Sequence, residues 1–253
     1  MRRAWWVVAG LLVFVAALLV LLPASVALRP VEAHVPGLRF EEVSGTVWRG
    51  RAGRALIGAH DYGRLQWRAH PLALLRGALA ADIDWQGGDR HARGRVAYGF
   101  GVLRAEAVRA EFPASLLQRV LDTPVLQPHG RVEVHVARAE FAGREPRRLE
   151  GDAVWREAAV SGAARAALGD IHARFGLRPD GGVGGVLDDA GGPLALAGEF
   201  RADAAGYRAE LRLDARAPDV AEALYWVGEP LAQGGRMLRL EGRWLEFPRR
   251  EPR

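Results

Sequence analysis

Beyond residue 37 the chain alternates apolar and polar positions with a period of two, the signature of strands that bury one face and wet the other. Tyr207, Ala209, Leu211, Leu213 and Ala215 alternate with Arg208, Glu210, Arg212, Asp214 and Arg216. Val132, Val134 and Val136 alternate with Arg131, Glu133 and His135, and Ile171, Ala173, Phe175 and Leu177 with Asp170, His172 and Arg174. Leu79, Ala81, Ile83 and Trp85 do the same against Ala80, Asp82 and Asp84. One-sided burial of this kind belongs to antiparallel sheets. Gly87-Gly88, Asp180-Gly181 and Gly191-Gly192 supply turns between the strands, and Gly99-Phe-Gly101 and Gly182-Val-Gly184-Gly185 also read as turns. The fold predicted is mainly β: extended, twisted antiparallel sheets with two short helices.

The first helix is expected to open at Pro113, carry Leu116, Leu117, Val120 and Leu121 as its stripe, and stop at Pro124. In the second, Asp219 and Glu222 resemble a capping box and Gly228 ends the helix. These two helices suggest an internal repeat. Pro113 and Asp219, Gly45 and Gly151, Pro124 and Pro230, and Phe141 and Phe247 are each 106 residues apart. The expected organisation is a first β module over 38–143, a similar one over 144–247, and a mobile tail at 248–253, which has no apolar residue but proline to dock it.

The N-terminus follows another pattern. Ala4 to Leu22 is an apolar run of 19, and no charge stands between Arg3 and Arg29. As a helix it would cross a hydrocarbon core of about 30 Å. Trp5 and Trp6 would sit at the headgroup interface, Leu11, Leu12 and Leu22 in the span, and Arg2 and Arg3 in the cytoplasm. The rival reading is a signal peptide cut near Ser25-Val26-Ala27; its apolar region would be longer than the usual 7–15 residues. Both readings put the body across the membrane. Residues 23–37 read as a linker between the anchor (1–22) and the first module.

Composition narrows the chemistry. There is no Cys, which excludes disulfides and thiolate metal sites. All 35 cationic side chains are Arg, so lysine-dependent chemistry is excluded, and a net charge of +5 does not argue for nucleic acid. None of the four Ser stands in a Gly-x-Ser-x-Gly turn, and no two of the seven His are spaced i, i+4. The chain is read as non-enzymatic, with no cofactor and no metal. Arginine clusters at 49/51/54, 90/93/95, 144/147/148 and 249/250/253 read as charges along wet strand faces.

One stretch carries a family resemblance. Val43-Ser-Gly-Thr-Val-Trp-Arg-Gly-Arg-Ala52 is followed by Gly63-Arg-Leu-Gln-Trp-Arg-Ala-His-Pro71 and Leu74-Leu-Arg-Gly77. With the N-terminal run it resembles protein N of the bacterial type II secretion system. In this motif Gly45 and Gly50 would allow bends, Trp48 and Trp67 would cover one end of the core, and Pro71 closes the block; their role reads as structural. The resemblance implies an accessory inner-membrane component with a periplasmic body that binds other secretion proteins of the envelope. It also implies a likeness to elongated β proteins that bridge envelopes, some of which handle lipid. The alternative function is therefore a periplasmic lipid-binding or lipid-transfer protein, with acyl chains on the apolar sheet face. The final strand, Met237 to Phe247, is the expected partner edge, with Leu238, Leu240 and Trp244 on its apolar face.

Overall fold

The computed structural model describes residues 21–34, 37–58, 60–118, 126–143, 145–203 and 205–243. It is mainly β, with antiparallel sheets and a few short helices. Contacts divide the chain into two units, Met1–Leu103 and Arg104–Arg253. Within the second unit, β10 (Leu126–Ala142) and β11 (Glu145–Gly162) pair as one long hairpin on either side of the expected module boundary.

In the first unit the main sheet runs in the order β2 (Ser44–Gly45), β3 (Arg49–Ala52), β6 (Arg64–Ala69), β7 (Ala78–Gly87), β8 (Arg90–Gly99). A small second sheet contains β1 (Leu38–Glu41), β4 (Arg54–Ile57) and β5 (His60–Asp61). A 3-10 helix, Pro71–Arg76, joins β6 to β7. The segment expected as a linker holds a helix, α1 (Ala24–His34). Pro30 lies within it and argued against a helix, because proline removes a backbone donor. Ala24 and Leu28, one turn apart, bury into a core with Ala52 and Trp67, and that burial outweighs the proline. The Glu32 carboxylate also accepts the Phe40 backbone N–H at 2.8 Å, tying α1 to β1.

The second unit runs β9 (Val102–Pro113), β10, β11, β12 (Ala166–Leu177), β13 (Val183–Asp189), β14 (Leu194–Ala202), β15 (Gly206–Ala215), β17 (Arg236–Arg243), β16 (Glu229–Pro230). Alternation along β15 is as expected: Leu211 and Leu213 are buried while Arg208, Glu210 and Arg212 are exposed. On β7 it holds less well, since Leu79 is exposed. Gly184 and Gly185 lie inside β13 rather than in a turn, paired with Gly176 and Phe175. A Cβ at Gly185 would meet the Arg174 carbonyl at 2.1 Å, so glycine permits close backbone approach here.

Both expected helices differ in detail. The first is a 3-10 turn, Ala114–Leu117, with Leu116 exposed; residues 119–125, including Val120, Leu121 and Pro124, lie outside the described residues. The second is α2 (Pro218–Leu224). Its N-cap is Ala217, with proline at the first helical positions, so Asp219 sits within the first turn and no side chain caps it. The capping-box reading fails for that reason. The helix ends at Tyr225, before Gly228. Val220, Ala223 and Leu224 of α2 pack into a core with Leu168, Ile171, Leu196, Leu211 and Leu213.

The anchor residues Trp5, Trp6, Leu11 and Leu12, and the tail at 248–253, lie outside the described residues. Among the described residues no helix is long and apolar enough to cross a membrane.

Candidate functional site

The motif stretches supply Trp67 and Ala52 to the buried core of the first unit, and the motif glycines shape the backbone around them. A Cβ on Gly50 would lie 2.3 Å from Trp67 Cζ2, so the Trp67 indole occupies the space that a side chain at 50 would need. Gly50 and Trp67 are direct cross-strand partners on β3 and β6. The buried Trp67 donates its Nε1–H to the Val47 carbonyl at 3.1 Å. Gly45 has φ +94° and faces the Arg49 carbonyl, a tight turn closed to other residues. Trp48 precedes β3, and its carbonyl accepts the Ala69 N–H at 2.7 Å. Pro71 opens the 3-10 helix.

The second unit repeats this device on other residues. Trp155 on β11 donates its Nε1–H to the His129 carbonyl at 2.8 Å, beside Gly130 with φ +100°. Both strands slip register here, between His129 and Arg131 and between Trp155 and Ala158. Glu157 takes φ +50°, and its backbone N–H donates to the Asp170 carboxylate at 2.8 Å. That bond and then the Arg156 guanidinium hold the Asp170 carboxyl below its ordinary range. The bulge is thus fixed by a charged acceptor on β12, and it sharpens the local twist.

The apolar face of this unit is not filled. It leaves a partly open cavity of about 430 Å³, walled by strands from β10 to β17 and by α2. Trp155, Ile171, Leu187, Leu196, Leu211 and Leu240 are among its lining residues, and among the described residues Arg208 is the one charged side chain there. At its end a carboxylate clamp joins three strands. Asp189 accepts from Arg216 and from the backbone N–H groups of Gly191 and Leu196, while Arg216 also reaches the Gly192 carbonyl. Arg216, aided by those N–H groups, lowers the Asp189 pKa to about 2.

The expected partner edge is seen in part. β17 pairs along Arg236–Arg243 with β15, but on its other side only Met237 and Arg236 are paired, with Glu229 and Pro230 of β16. It is therefore the next-to-last strand, with an edge from Leu238 to Arg243 that no described strand covers. Leu238 and Leu240 face the cavity, and Arg239 pairs with Glu229. Trp244 lies outside the described residues.

Members of three arginine clusters are engaged locally, while Arg144 and the cluster at 249/250/253 lie outside the described residues. Arg54 binds Asp61 and Glu41, Arg51 the Ser44 hydroxyl, Arg95 Asp82, and Arg148 Glu150. His70 also contacts Asp82 at 2.9 Å. Asp82 is held below its ordinary range by Arg95 first and then by His70. Among the described residues no three His, Asp or Glu side chains form a cluster that could hold a metal ion.

Residues 36–239 match the family model described as type II secretion system (T2SS), protein N. The chain belongs to that family. It is 32% identical over 150 residues to the type II secretion system protein N of Vibrio cholerae serotype O1, strain ATCC 39315 / El Tor Inaba N16961. That alignment covers 58% of this chain and 59% of the relative, so the chain spans less than two thirds of the relative's length. No solved structure matches the chain. Gly45, Trp48, Gly50, Trp67, Pro71 and Leu238 fall inside the span matched to the protein N family, while Leu22, Leu240 and Trp244 fall outside it. The cavity and the clamp at Asp189 could not be found from sequence, because apolar strand faces look alike whether packed or hollow.

Proposed function

We propose that this chain is a non-enzymatic accessory component of bacterial type II secretion, held in the inner membrane by residues 4–22, with a periplasmic body that binds other envelope proteins. The observation that carries the binding role is the edge of β17 from Leu238 to Arg243, which no described strand covers. Its outward backbone groups can take a strand from a partner, with Leu238 and Leu240 setting the side-chain register on the apolar face.

Proline tests this directly. Successive residues on a strand point their N–H groups to opposite sides, so Arg239→Pro and Leu240→Pro each remove a different donor. One removes a bond to β15 and destabilises the second unit; the other removes a donor on the bare side and leaves the unit folded. The folded variant should lose secretion. Secretion at the parental level from the folded variant would refute the edge reading.

The cavity favours a second reading, a lipid-binding protein, because its lining is almost wholly apolar and about 430 Å³ lies within the range of ligand pockets. Ala209→Trp would obstruct it. Under this reading the parental chain co-purifies with acyl lipid detectable by mass spectrometry, and the obstructed variant carries less. Delipidated protein that fails to take up a fluorescent fatty acid would exclude it.

A further inference from the structure

The first unit carries an apolar tip that its own core does not use. Leu72 and Leu75 of the 3-10 helix are 76% and 85% exposed, and Phe100, in the turn after β8, is 88% exposed. In a 3-10 helix residues three apart share one face, so Leu72 and Leu75 project together. Phe100 stands over Gly77, where a Cβ would lie 2.6 Å from its ring. Its φ of +51° is one an aromatic residue seldom adopts, and it holds the ring outward. Leu79 and Tyr98, cross-strand partners beside the turn, are exposed as well. Residues 71–81 and 96–103 contain one charged side chain, Arg76, and no carboxylate.

The tip lies next to the place where the N-terminal run enters the fold. The Leu22 carbonyl accepts the Val47 N–H at 2.9 Å, and the neighbouring Trp48 carbonyl accepts the Ala69 N–H at 2.7 Å, two residues before Pro71. Two strand spacings, about 10 Å, therefore separate Leu22 from Ala69, and the tip begins two residues further along the chain. Leu21, the residue before, is itself 70% exposed.

We infer that Leu72, Leu75 and Phe100 insert into the periplasmic leaflet of the membrane that residues 4–22 cross, with Arg76 at the headgroup phosphates. The inference rests on the proposed membrane span. Its chemistry is that of an interfacial contact: aliphatic and aromatic side chains around a single cation, with no carboxylate to repel anionic lipid. Side chains this exposed stand proud of the surface, and a deformable bilayer receives them without a matching pocket. Two attachments, the span and the tip, would fix the orientation of the first unit on the membrane.

The chain has no cysteine, so single labels are clean. Leu12→Cys, Leu75→Cys, Phe100→Cys and Asp89→Cys, each carrying an environment-sensitive fluorophore, are reconstituted as full chains into phosphatidylethanolamine–phosphatidylglycerol vesicles. Asp89 is at the opposite end of β7, roughly 33 Å from the tip. Labels at 12, 75 and 100 should shift to shorter wavelength and lose emission to nitroxide-labelled phospholipid, while the label at 89 behaves as in water. Quenching at 12 without quenching at 75 and 100 overturns the inference and leaves the span standing. Absence of quenching at 12 overturns the span, and the inference with it. Equal quenching at 89 shows non-specific adsorption and likewise overturns the inference.

Discussion

Trp67 occupies the side-chain space of Gly50, its cross-strand partner, so these two positions act as one unit of the core. Gly50→Ala should destabilise the first unit by about 1–3 kcal/mol, the range for overpacking a filled core. Trp67→Leu costs stability by itself, because the indole leaves the core and the Val47 carbonyl loses its donor. In the double variant the two costs should be less than additive, since the shorter side chain makes room at residue 50. Urea unfolding of the four proteins measures this, and strict additivity would contradict the packing described.

Asp189 gives the fold a defined acid sensitivity. Its pKa is about 2 in the folded chain against an ordinary 3.8, and its side chain is only 12% exposed. A depressed carboxyl pKa stabilises the fold above the unfolded value, by about 2 kcal/mol here, and that stabilisation is lost as pH falls from about 4 towards 2. Asp189→Asn should therefore be less stable than the parent at pH 7. The gap should narrow steadily below pH 4 in denaturant titrations.

Helix α1 moves the practical start of the body. A chain beginning at Val31 would lack Ala24 and Leu28, both buried against Ala52 and Trp67. Chains from Leu21 to Phe247 and from Val31 to Phe247 should both give strand-dominated circular dichroism. The shorter one should unfold at lower urea concentration, because its first core is left open. Equal midpoints would show that α1 adds nothing.

For the membrane span, a reporter active only in the periplasm and fused after Phe247 should be active in cells. Inactivity in a stably expressed fusion would reject the proposed topology.

Much of the β architecture was legible because strand alternation is local. Tyr207 to Ala215 declares its two faces without reference to any other segment, and turn glycines such as Gly88 and Gly181 need only their own positive φ. The motif from Gly45 to Pro71 was legible as a block, and its glycines proved to serve close approach and tight turning. Helix α1 was not legible, since its local signal contains Pro30 and its support comes from Trp67, far along the chain.

By itself the sequence determined the strand periods, the turns, the exclusion of thiol and lysine chemistry, and the motif that points to the family. The tertiary structure alone decided that Trp67 fills the space beside Gly50, that no described strand covers β17 from Leu238 to Arg243 on one side, and that the second unit holds a partly open cavity. Periodicity says which side chains share a face. Whether that face is filled, hollow or left at an edge depends on which distant strands come to lie against it.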